Sequence, residues 1–142
     1  MNSIQRSLVV LGTLLLCGCA IRQTVTPISV DIGREVCIVR NDDVRESFLE
    51  VYQQVLEAKG YRFRVVTKGE ASACPVTSTY RANWSWDLAL YMSYAQIKVY
   101  KDRREIGTAE YDSTRGSANL GKFIGASGKI EELVDQLFPG TR

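Results

Sequence analysis

Few residues in this chain have side chains suited to covalent or acid–base chemistry. Histidine is absent from all 142 residues, which removes the commonest general base and the commonest metal ligand together. The four cysteines, Cys17, Cys19, Cys37 and Cys74, are the strongest nucleophiles present. Cys37 and Cys74 are spaced far from a Cys-x-x-Cys redox pair, and two thiolates without histidine make a poor zinc site. Glu110 and Asp112 would share one strand face and could pair as acid and base, but a solvated strand face near a loop explains them with fewer assumptions. Gly125-Ala126-Ser127-Gly128-Lys129 invites comparison with a phosphate-binding loop. That pattern needs glycine where Phe123 stands and Ser or Thr where Ile130 stands. The small residues there, with Gly121 and Gly125 at GxxxG spacing, read instead as a helix that approaches its neighbour closely. The expectation is a chain without catalytic residues, cofactor or metal.

The first 19 residues give the cysteines their meaning. Arg6 supplies a positive charge, and Leu8–Leu16 is an apolar run broken only by Gly12 and Thr13. A charged start and a short apolar stretch are the parts of a secretory signal; a spanning helix needs about 20 apolar residues. The run ends in Leu16-Cys17-Gly18-Cys19, which resembles the bacterial lipobox: an aliphatic residue, two small ones, then the cysteine that is acylated. Residues 1–18 are thus expected to be a signal peptide and Cys19 the lipidated N-terminus of the mature chain. An uncleaved anchor or conventional cleavage nearby is the alternative. Two or more acyl chains hold a protein stably at a bilayer where one does so only marginally. In the sorting rule of such lipoproteins Asp after the cysteine means inner-membrane retention; Ala20 stands there, which favours the outer membrane and its periplasmic side. Export would leave Cys37 and Cys74 in an oxidising compartment. A structural disulfide between them is preferred over two separately buried thiols.

Composition fits one ordinary globular domain, 45% hydrophobic and 24% charged with a net charge of +2. The strongly basic stripe that nucleic acid would require is missing. Residues 19–34 read as the lipidated N-terminus and a tether, with a short extended piece around Thr24–Val30, ahead of a periplasmic domain over 35–142. Glu35–Arg40 suits a central strand, apolar on both faces. Val44, Phe48, Val51, Tyr52, Val55 and Leu56 recur at helical spacing after Asn41-Asp42-Asp43 and before Gly60. Tyr61–Val66 alternates as a half-buried strand. Val76–Trp86 and Leu88–Lys101 are strand-like with a turn near Asp87, and Asp102-Arg103 joins the second of these to Ile106–Asp112. Leu120, Phe123, Ile124, Ile130, Val134 and Leu137 mark a second helix, stopped by Pro139-Gly140. The order β-α-β-β-β-β-α predicts an α+β two-layer sandwich with a mostly antiparallel sheet of about five strands.

The stretch CPVTSTYRANWSWDLALYMSY (Cys74–Tyr94) holds both tryptophans. With the upstream LEAKGY and the downstream EYDSTRG and LVDQLFP, it resembles a family of small proteobacterial envelope lipoproteins to which no activity is assigned. The resemblance supplies no activity; the leading expectation is an outer-membrane-anchored, non-enzymatic module whose sheet binds an outer-membrane or periplasmic protein, on the fold-level analogy of the lipopolysaccharide-assembly lipoprotein. A carrier or sensor of an amphipathic small molecule is the alternative; a concave cavity would favour it, and a flat patch would favour the partner protein. On the strand Leu88–Lys101, Ile97 and Val99 assign the odd positions to the covered face. Leu90, Met92 and Tyr94 then fall on the open face, where Trp84 and Trp86 could join them as a partner surface. A β-bulge near Tyr94 would instead swap the faces and bury the set. Both readings stay open on sequence alone. The anchor has a direct test. Cys19→Ser should abolish fatty-acid labelling and lipoprotein-type processing in cells, and Ala20→Asp should move the protein toward inner-membrane fractions.

Overall fold

The computed structural model describes residues 20–116 and 119–140; the signal and Cys19 lie outside them. Strands β1 (Arg22–Thr26), β2 (Glu35–Val39), β3 (Arg62–Val66), β4 (Val76–Asp87), β5 (Ala89–Lys101) and β6 (Arg104–Asp112) form one sheet in the order β1-β6-β5-β4-β2-β3. Helix α1 (Glu46–Ala58) joins β2 to β3 and helix α2 (Ala126–Leu137) follows β6. The α+β class is as expected, but the sheet has six strands rather than five. It is also more mixed, because β2 runs parallel to both of its neighbours, β3 and β4.

The sixth strand comes from the segment expected to be a tether. Arg22–Thr26 pairs antiparallel with β6, from Arg22 opposite Asp112 to Thr26 opposite Thr108. Behind it Ile28 and Ile32 are buried, and the Ile28 amide donates to the Leu137 carbonyl at 3.0 Å. Little in RQTVT announces a strand, since its alternation is between polar residues. What recruits it is the free edge of β6, whose backbone groups need partners. The close crossing of this segment over β6 depends on Gly107. A Cβ there would lie 2.7 Å from Ile28 Cγ1 and 3.0 Å from Leu137 Cδ1.

Both helices pack on one face of the sheet. Phe48 of α1 stacks on Tyr80 of β4 with ring centroids 5.3 Å apart, and Phe138 lies between Tyr52 and Tyr61. Tyr52 is fully buried; its hydroxyl meets Ser78 Oγ at 2.6 Å, and burial pushes its pKa well above the ordinary tyrosine range. Val36, Ile38, Ile97, Val99, Leu133, Val134 and Leu137 complete this core. A second, smaller cluster of Cys37, Val39 and Val66 sits on the opposite face of β2 and β3.

Two local expectations differ from the structure. Asn41-Asp42-Asp43 makes an Asx turn (the Asp43 amide donates to Asn41 Oδ1 at 3.1 Å) ahead of the helix, and Arg45 occupies the N-cap without a side-chain cap bond. The second helix is broken: Leu120–Phe123 is a short 3-10 turn, Ile124 and Gly125 are extended, and α2 proper starts at Ala126. Gly125 and Gly128 face open space, so they provide no close helix contact; a Cβ on Gly121 would meet Asn119 and Ile21 instead. Lys129 is spent on packing, with Nζ 2.6 Å from Glu132, 2.9 Å from Gln23 Oε1 and 5.2 Å from the Tyr111 ring centroid.

Cys37 and Cys74 form a disulfide across 37 positions of chain, from the interior strand β2 to the loop before β4. The chain-entropy relation assigns such a loop about 4 kcal/mol. Two outcomes follow for purified protein in urea unfolding. Reduction or Cys74→Ser should lower stability by several kcal/mol. Gly107→Ala should cost about 1–3 kcal/mol by overpacking, with the disulfide intact.

Candidate functional site

The site begins with a mismatch of lengths. Strands β4 and β5 have 12 and 13 residues, whereas β6 stops at Asp112, opposite Tyr94. Beyond that level Trp84–Asp87 and Ala89–Met92 pair only with each other, as a two-stranded arm. Its tip is Leu88, held at a φ of 60°. That left-handed conformation is common for Gly, Asn and Asp and costly for a branched aliphatic residue.

At the root of the arm the register breaks. Asn83 pairs with Tyr94 but Trp84 pairs with Met92, leaving Ser93 as an extra residue on β5. Its hydroxyl donates to the Asn83 carbonyl at 3.2 Å and accepts from Ser85 Oγ at 2.8 Å, while Ser113 closes the bulge by donating its amide to the Ser93 carbonyl at 2.9 Å. Because alternation has period two, one extra residue moves every side chain beyond it to the other face. Ala95, Ile97 and Val99 face the helices, and after the bulge so do Met92 and Leu90, opposite Trp84 and Trp86.

The five residues expected to share an open face are therefore split. Met92 is core, 2% exposed. Trp84 is half-buried against that core, with the Arg45 guanidinium 5.4 Å from its ring centroid. Trp86 and Leu90 lie on the helix side of the arm but past the reach of the helices, 72% and 51% exposed. Tyr94 alone keeps the uncovered face, where its hydroxyl donates to Glu110 at 3.2 Å. Burial first, and then the Glu110 carboxylate, raise the Tyr94 pKa. The bulge alternative is the one realised, yet it buries only Met92 fully.

The sequence reading missed the residues that complete the exposed set. Leu88 is 88% exposed at the tip, and Leu120, Phe123 and Ile124, assigned above to the inner face of a helix, are exposed. Phe123 meets Tyr91 edge-on at 5.5 Å, and Lys122, buried beneath them, pairs with Asp87. The loop carrying Leu120–Ile124 is thereby held against one side of the arm while Trp86 and Leu90 remain bare on the other. A signal was present: Leu120, Phe123 and Ile124 precede the Gly125 that interrupts the helical period.

The uncovered face of the sheet is polar. Arg81 donates to Gln96 at 2.6 Å, Gln96 donates to Glu110 at 2.7 Å, and Lys98 pairs with Glu105 at 2.8 Å. Asp112 accepts from Thr114, which holds its carboxyl below the usual range. Glu110 and Asp112 thus share a face, each engaged by neutral hydrogen-bond donors. An open depression of about 440 Å³ on this face is lined by Arg40, Asp43, Lys68, Arg81 and Lys98 among others. Its lining is charged and contains neither tryptophan.

The architecture defines a class: a two-layer α+β module with a mixed six-stranded sheet, one face covered by helices and the other bare. Among solved structures the chain resembles the PelC dodecamer from Paraburkholderia phytofirmans, with a TM-score of 0.52 at 14% identity over 81% of this chain and 92% of the PelC chain. A point variant of the same dodecamer matches equally well, at 13% identity and a TM-score of 0.52. At these identities the likeness is one of fold. No family model matches the chain, and no curated protein matches it.

The split of the aromatic set separates two substitutions that the sequence alone would group. Met92→Lys should lower stability by several kcal/mol, because it buries an unpaired charge. Leu90→Lys should change it by no more than about 0.5 kcal/mol. Urea denaturation of the two single variants checks both.

Proposed function

We propose that this chain is an acyl-anchored envelope lipoprotein of the outer membrane, held at Cys19 and facing the periplasm, that acts as a binding or assembly module rather than as an enzyme. The Cys37–Cys74 bond carries the reading. Disulfides persist in exported proteins and are rare in the reducing cytosol, so the bond agrees with an N-terminus that reads as a lipoprotein signal. The start of β1 at Arg22 would leave almost no slack between the acylated residue and the folded domain. A partner would therefore be met close to the membrane.

The binding role draws support from the bare sheet face, whose Arg81, Lys98, Gln96 and Glu110 present charge of both signs without a helix over them. The fold neighbour is a dodecamer, which makes a second copy of this chain the first partner to examine. A photo-crosslinking residue at Arg81, in the full chain expressed in its own envelope, should yield discrete adducts that disappear when Cys19→Ser displaces the protein from the membrane. Light scattering of the purified protein would show whether the adduct is a self-contact. Absence of any adduct from Arg81, Lys98 or Thr79 would refute a binding role for this face.

A further inference from the structure

Six of the eight large apolar residues exposed in the described chain gather at one end of the molecule: Trp86, Leu88, Leu90, Leu120, Phe123 and Ile124. They come from two segments, the arm and the loop before α2, joined by the Phe123–Tyr91 contact. A soluble surface rarely spends its largest apolar side chains this way unless something covers them.

The same end holds the first of the described residues. Arg22 pairs with Asp112, and Asp112 with Tyr94, so β1 begins level with the root of the arm. Ile21 lies against the loop that carries Leu120: a Cβ on Gly116 would be 3.0 Å from Ile21 Cγ1, and one on Gly121 would be 3.5 Å from Ile21 Cδ1. Cys19 is two residues before Ile21, a reach of about 7 Å. An acyl chain on Cys19 therefore enters the bilayer beside the apolar end and nowhere else on the domain.

We propose that this end is a membrane-inserting surface, in which the tip of the β4–β5 arm and the Leu120–Ile124 loop enter the lipid at the foot of the acyl anchor. It rests on the anchor reading and specifies which surface faces the bilayer. Tryptophan suits the boundary between headgroups and acyl chains, and Leu88 and Leu90 suit the layer beneath it. The strained backbone at Leu88 fits as well, since it holds an aliphatic side chain outward where a turn would ordinarily carry Gly or Asn. Arg45, stacked over Trp84 at the root of the arm, stands where headgroup phosphates would lie. The arrangement leaves the polar sheet face upright and open to the periplasm.

The test uses the full acylated protein in vesicles of phosphatidylethanolamine and phosphatidylglycerol, some with brominated acyl chains. Bromine should quench tryptophan emission in the wild type. Most of that quenching should be lost in Trp86→Phe, and little in Trp84→Phe. Leu88→Asp and Leu90→Asp should each weaken it without lowering the melting temperature. Unquenched emission from vesicle-bound wild-type protein would overturn the proposal. So would a concentration-dependent rise in mass in lipid-free solution that Leu88→Asp abolishes, since a second copy would then cover the patch. The anchor can fail separately, as missing fatty-acid label on Cys19. Quenching of the unacylated chain mixed with the same vesicles would then still decide the inserted surface, and its absence would overturn it.

Discussion

The structure depends on a disparity between how fast strands and helices advance along the chain. A helix rises 1.5 Å per residue and a strand about 3.3 Å. The 13 residues of α1 therefore span about 20 Å, while the 13 residues of β5 span about 43 Å. Two helices side by side leave part of such a sheet without a roof. The β4–β5 ladder must run out from under them, and whatever side chains it carries beyond that limit meet something other than the core. Met92 is the last residue of β5 to find cover, and Leu90, one pleat further, finds none.

The bulge at Ser93 turns this overhang into a particular surface. With regular alternation Tyr94, Met92 and Leu90 would all lie on the polar face, and Ile97 and Val99 would have no apolar continuation toward the arm. One extra residue lets Met92 extend the core and turns Leu90 to the side that Trp86 already occupies by regular alternation along β4. The Ser93 carbonyl and hydroxyl are satisfied locally by Ser85, Asn83 and Ser113, and no buried side-chain nitrogen or oxygen among the described residues lacks a partner. The register shift sets which way the arm's β5 side chains point, while the polar face follows from the regular alternation before it. The two surfaces are chemically opposite, with bare apolar residues at one end and a lattice of Arg81, Gln96, Glu110 and Lys98 along the other surface.

The far side of the sheet is fixed by different means. Strand β2 is short and parallel to both neighbours, an arrangement that needs a crossover connection and closes slowly from distant pieces of chain. The disulfide fastens it to the segment entering β4 on the face that no helix covers, where Cys37, Val39 and Val66 form only a small cluster. Covalent closure there substitutes for the apolar area that a second layer would have supplied.

The sequence alone decided what local period and residue chemistry can decide. The helix at Phe48, Tyr52 and Leu56 follows from spacing, the paired thiols of Cys37 and Cys74 from elimination of other uses, and the turn beside Asp87 from the boundary between two β-prone runs. It was silent where the cause lies in another part of the chain. The extended piece read around Thr24–Val30 became a paired strand at Arg22–Thr26 because β6 had a free edge, and no pattern within five mostly polar residues records that pairing. Leu120, Phe123 and Ile124 share the apolar character of Ile130 and Leu137, so composition assigned them to one helix; contact with Tyr91 and Ile21 drew them off to the arm. The bulge was visible only as a conflict between Ile97 and Leu90 over which face is inner. Both resolutions obey the local rules, and the choice between them was made by where the helices end.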